Sequence, residues 1–121
     1  MENKEYRYDI KGLAEELEFE IEDISMLFSK YFEEIKDNIT DMKKYLEQRD
    51  WSMLERVIHN IKGVSVNLNI LDVHEEAAAF DMLLKENKTD DAHVHVDKLV
   101  ELLHDSENEI KKIFLQMGLR L

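Results

Sequence analysis

The chain predicts an all-α fold, an antiparallel up-down four-helix bundle with a short additional N-terminal helix. Three observations carry that prediction. The 121 residues contain no proline and only three glycines, Gly12, Gly63 and Gly118, so little interrupts helix formation. Apolar residues recur at steps of three, four and seven along most of the chain, the period of a helix with one buried face. The segments between those stripes are short and polar, which joins neighbouring helices most simply in antiparallel order.

In order along the chain, residues 1–8 are polar with two tyrosines and read as a loose lead-in to a single domain over residues 9–118. Asp9 can cap a short first helix whose apolar face is Ile10, Leu13, Ala14 and Leu17. A long helix from about Glu20 to Gln48 follows, with Ile24, Phe28, Tyr31, Ile35, Ile39, Met42 and Leu46 as its stripe. Its opposite side is dense in Glu, Asp and Lys, an ordinary solvated face. Arg49-Asp50 is a tight joint, and Asp50 suits the N-cap of the next helix. That helix carries Trp51, Leu54, Ile58, Ile61, Ser65 and Leu68 on one stripe and stops near Asn67 to Asn69, residues suited to turns. The next, about Ile70 to Lys85, buries Ile70, Val73, Ala77, Phe80 and Leu84. After the polar loop 86–91, Thr89, Asp90 or Asp91 can start a last helix, about Ala92 to Met117. Its stripe is Val96, Leu99, Val100, Leu103, Ile110, Ile113, Phe114 and Met117, and Gly118 is its stop signal.

Composition excludes several classes. A formal charge of −12 argues against nucleic acid and anionic membrane surfaces, since contacting phosphates takes clustered Lys and Arg. No stretch approaches the roughly 18 apolar residues of a membrane span, and no signal peptide opens the chain. The absence of cysteine removes disulfides and thiolate metal sites and fits a reducing, cytoplasmic setting. There is no Gly-x-x-x-x-Gly-Lys-Ser/Thr loop, so the chain has no nucleotide site of its own and does not read as a free-standing enzyme.

The residues that stand out are His59-Asn60-Ile61-Lys62-Gly63. His59 falls off the apolar stripe, and its neighbours at three and four residues are Glu55, Arg56, Lys62 and Gly63. Helical side chains lean toward the N-terminus, so residues 62 and 63 would lie over the imidazole. One is a lysine and the other has no side chain. A glycine inside a helix costs roughly 0.5–1 kcal/mol relative to alanine. Leaving His59 open to a partner explains it, while Lys62 sets a cation beside the ring. Neutral imidazole is a nucleophile, and a nearby cation disfavours its protonated form. Arg56 and Asn60 can rim such a site, and Val66 with Val64 can add apolar area.

His59-x-x-Lys62-Gly63, followed by Ser65, Asn67-Leu68 and Leu71 and preceded by Asp50-Trp51, resembles the histidine phosphotransfer (HPt) domain of bacterial multistep phosphorelays. Two positions depart from that family's pattern. Val64 replaces a usually small residue and Asn69 stands where glycine is common, a mild change where the backbone is left-handed. The resemblance implies a phosphorelay intermediate, in which His59 takes a phosphoryl group from a receiver-domain aspartate and passes it to another receiver. It implies that Lys62 stabilises phosphoryl charge and that Gly63 gives access, while Glu55, Arg56, Asn60 and Val66, placed around His59, are the expected partner contacts. Mg²⁺ would sit on the receiver and this chain would need no cofactor. A monomer served by receivers or a hybrid histidine kinase is the expected assembly.

Two alternatives stay open at this point. One is a non-catalytic docking module that kept the bundle, the other the phosphoacceptor domain of a larger histidine kinase. The start at Met1 and the stop just after Gly118 lean toward a separate protein. Metal binding is not expected. His93 and His95, two apart, would point their rings to different sides of a helix, and the residue four after His59 is Gly63. His74, His93, His95 and His104 are read as exposed or helix-end histidines.

Overall fold

Asp9 opens the fold as a cap, its carboxylate accepting the Gly12 backbone N–H at 2.9 Å to start α1 (Ile10–Leu17). A β-carbon at Gly12 would collide with that carboxylate, which explains a glycine inside so short a helix. The computed structural model describes residues 8–121. Among them it contains, besides α1, α2 (Ile21–Gln48), α3 (Trp51–Asn67), α4 (Leu71–Lys85) and α5 (Ala92–Gln116), and no strand.

The joints follow the sequence closely. α2 ends at Arg49 in the left-handed region, and Asp50 caps α3 by accepting the Met53 N–H at 3.2 Å. Asn69 takes a φ of +59°, the conformation that lets asparagine stand for glycine, and Ile70 N–H then closes back onto the Ser65 carbonyl at 2.8 Å. Of the three possible starts for α5, Asp91 stands at the N-cap, without a side-chain bond to the helix. Gly118, at φ +84°, ends it.

The buried faces are those the periodicity marks, with additions at their edges, except that Leu17, expected on the apolar face of α1, is exposed at the helix end. Phe28, Phe80 and Phe114 fill the centre, and the Phe28 and Phe114 rings meet edge-on with centroids 5.5 Å apart. Phe32 and Val57 join the core beside the expected stripes. α3 packs most extensively on α4, and further contacts run from α2 to α3, from α4 to α5 and from α5 back to α2, with α1 against α2. No helix among the described residues is long and apolar enough to cross a membrane.

The ends differ from expectation. Tyr8, assigned to the loose lead-in, is buried, and its hydroxyl donates to Asp72 Oδ2 at 2.8 Å. The rest of that lead-in, residues 1–7, lies outside the described residues. Beyond Gly118, Leu119 and Leu121 still pack against the core.

Candidate functional site

The outer ridge of α3 carries His59 with its side chain 60% exposed. One turn on, a β-carbon at Gly63 would meet nothing within 4 Å, so that surface is open. The ring has a partner that the spacing did not disclose. Its Nδ1 faces Oδ2 of Asp81, on α4, at 3.5 Å, slightly beyond the usual N–H···O range.

Asp81 is the centre of the cluster. Its side chain is only 2% exposed, and the same Oδ2 accepts from Lys62 Nζ and from Lys85 Nζ, each at 3.0 Å. Lys85 lies one helical turn beyond Asp81 on α4, and its ammonium also stands 3.7 Å from Glu55 Oε2. Two ammonium groups, two carboxyls and one imidazole therefore share a patch between α3 and α4.

Their protonation follows from burial and contact. Burial alone would push the Asp81 carboxyl up. Hydrogen bonding with Glu55, Lys85, Lys62 and the His59 ring outweighs it and holds Asp81 far below the usual carboxylate range. Glu55 moves the opposite way, raised by its bond to Asp81, by burial and by the Asp81 charge, against the pull of Lys85 and His59. Of two carboxyls in contact, Glu55 is thus the one that takes up a proton as the pH falls. Asp81 Oδ1 is buried without a hydrogen-bond partner among the described residues. The Lys85 ammonium is raised, chiefly by its bond to Asp81.

Ligand atoms of Glu55, His59 and Asp81 all lie within 4.8 Å of one another, a spacing that a divalent cation could bridge. Lys62 and Lys85 already occupy the Asp81 oxygen, so a cation would have to displace or tolerate two ammonium groups.

A second set of bonds fixes the backbone under the site. The Lys62 carbonyl accepts from His74 Nδ1 of α4 at 2.9 Å and from Ser65 Oγ at 3.1 Å. A carbonyl only accepts, so Nδ1 of His74 carries the hydrogen. α4 thereby grips α3 at the residue three after His59.

The other sequence-selected residues fall around this patch. Arg56 is exposed, and Val66 is partly exposed further along α3. Asn60 is exposed and donates from Nδ2 to Glu34 Oε2 of α2 at 2.8 Å. Val64 is half-buried against the core and, with Leu27, Tyr31 and Leu68, lines a groove between α2 and α3 that Lys30 and Glu34 border.

Several expectations need correction. Glu55, expected as a partner contact, also belongs to the charge cluster and is half-buried. Lys62 is no bare cation beside the ring, being 27% exposed and bonded to Asp81. His74 and His95 are half-buried, the latter stacked on Phe80 with centroids 5.2 Å apart, whereas His93 and His104 are exposed. Glu101 and His104, three apart on α5, are likewise both exposed and do not face the core.

Asp81 and Lys85 were not selected from the sequence at all. A signal existed for both. Residue 81 lies four after Ala77 and three before Leu84, beside the buried stripe, and Lys85 is its helical neighbour at four.

A family model described as "Hpt domain" matches residues 26–109, a span that includes all of α3 and α4. Comparison with curated proteins and with solved structures gave no match.

Proposed function

Because the chain belongs to the Hpt-domain family, whose members carry phosphoryl groups on histidine and interact with receiver domains, we propose that His59 is the phosphoacceptor of a phosphorelay intermediate. It takes the group from the aspartyl phosphate of one receiver and gives it to the aspartate of another. The observation that carries this reading is an exposed ring whose Nδ1 faces the buried Asp81 carboxylate at 3.5 Å. With Asp81 facing Nδ1, the hydrogen of the neutral ring is held on that side, and Nε2 keeps a lone pair for the partner.

In the transfer step the Nε2 lone pair attacks phosphorus and a P–N bond forms. The acyl P–O bond breaks and the receiver's aspartate leaves as a carboxylate. Nδ1 keeps its hydrogen, so the phosphorylated ring is a cation facing the Asp81 carboxylate. Reversal on a second receiver expels a neutral imidazole, a better leaving group than its anion. Asp81 thereby acts in both directions.

Phosphoryl transfer depends mainly on positioning and charge neutralisation. Lys62 is the cation of this chain assigned to the phosphoryl oxygens, and Gly63 keeps the approach open. Family membership makes the chain a phosphocarrier without its own nucleotide site, and the receiver is the assigned source of Mg²⁺. The groove between α2 and α3, with Arg56, Asn60 and Val66, is the assigned docking face. We further assign an antiparallel up-down arrangement of α2 to α5, a monomeric state and a cytoplasmic setting, with receivers or a hybrid histidine kinase as partners.

The test is transfer from a panel of phosphorylated receiver domains to the wild type and to His59→Gln, scored as acid-labile, base-stable label. Wild type should label and the variant should not, at equal helicity. Comparable labelling of the variant would remove His59 from the role.

A further inference from the structure

The cation assigned to the phosphoryl group is engaged elsewhere in the resting site. Lys62 Nζ lies 3.0 Å from a carboxylate that is almost wholly buried. Withdrawing the sole counter-charge from such a group is strongly unfavourable, because it leaves a buried charge uncompensated. Asp81 has a second counter-charge at the same distance on the same oxygen. We infer that Lys85 is a positioning residue for phosphoryl transfer, which keeps Asp81 neutralised so that Lys62 is free to leave it for the phosphoryl group on His59. This inference rests on the role proposed for His59.

The two lysines are not equivalent. Lys62 is three residues from His59 on the same helix ridge, so its ammonium belongs beside the imidazole. Lys85 comes from α4, is held a second time by Glu55 at 3.7 Å, and is 53% exposed against 27% for Lys62. Glu55 and Asp81 both restrain Lys85, while among the described residues Asp81 is the one carboxylate bonded to Lys62.

A charge count around Asp81 supports the exchange. At rest the carboxylate faces two ammonium groups and a neutral ring. After transfer Nδ1 retains its hydrogen and the ring is cationic, so with Lys62 gone Asp81 faces Lys85 and the ring, two positive groups again. Without Lys85 the count falls by one at each stage, and until the ring gains its charge nothing replaces Lys62. Lys62 becomes the only ammonium on Asp81 and is trapped there.

The test uses phosphoramidate, from which the ring displaces ammonia, so that no receiver has to be known. Phosphohistidine is followed by phosphorus NMR in wild type, Lys85→Met, Lys85→Arg and the double variant Lys85→Met with Asp81→Asn. K85M should label about tenfold more slowly, the factor that 1.4 kcal/mol represents. K85R should restore most of the loss. In the double variant the neutral amide no longer traps Lys62 but still accepts from Nδ1–H, so labelling should rise above that of K85M. A merely structural lysine would change melting temperature without that recovery. Wild-type rates for K85M, or a double variant as slow as K85M, overturn the inference while leaving His59 in place. A folded wild type that takes no label overturns the phosphoacceptor reading and this inference together.

Discussion

At the scale of single residues, Tyr31 gives the clearest physical test away from the site. It is buried in α2, and its hydroxyl has no hydrogen-bond partner among the described residues. Burial first, then the nearby Tyr8 and Asp72, push its phenol well above the ordinary tyrosine range. A raised native value means that the unfolded chain ionises first, near the ordinary value of about 10, while the native state stays neutral. The unfolded state then binds fewer protons, and stability falls as pH climbs through that window. Below it the contribution is fully present. Tyr31→Phe should therefore melt no lower than wild type at neutral pH, since a buried hydroxyl without a partner gives little. Its decline in alkali should be shallower. Thermal melts across the alkaline range decide it, and identical pH slopes for the two proteins would contradict the assignment.

At the scale of the element, α3 carries a glycine that its packing does not need. Gly63→Ala should stabilise the fold by about 0.5–1 kcal/mol, the helix-propensity difference, because the new methyl meets nothing. Gly63→Gln should fold as well yet slow phosphoryl transfer by an order of magnitude or more, by laying a long side chain over His59. Denaturation midpoints and labelling rates together check the pair. Wild-type transfer in Gly63→Gln would refute the access role. The openness around Gly63 was legible in the sequence, as were the stripes of α2 to α5, the Asp9 and Asp50 caps and the left-handed Asn69. Each depends on residues within a turn or two of one another. The charge cluster was not legible, because it depends on how α4 is rotated against α3. Asp81 lies at the edge of the α4 stripe, which hints at burial but not at which residues of α3 it meets. The docking of α4 that buries Ala77 and Leu84 is what carries Asp81 inward and under His59. His74 and His95 stand in the first turns of α4 and α5, but their partners Lys62 and Phe80 or Glu76 were not legible for the same reason, being settled by helix packing.

At the scale of the whole molecule, the proposed division of labour has the chain bring a nucleophile and fixed charges and leaves the metal to the partner. EDTA should therefore lower transfer from a phosphorylated receiver to His59 at least about tenfold, while leaving phosphoramidate labelling unchanged. Equal loss with both donors would instead place a required cation on this chain, with Glu55, His59 and Asp81 as its ligands. α3 presents two flanks. The one toward α4 carries Asp81, Lys85 and His74, and the one toward α2 carries the groove of Leu27, Val64 and Leu68. Substitutions on opposite flanks that share no contacts should act nearly additively. For an engineer this separates two dials on one helix. If the proposed docking face holds, partner choice can be rewritten along the α2 flank with the proposed phosphoacceptor ring untouched, and the ring's chemistry can be retuned from α4 without redrawing that surface.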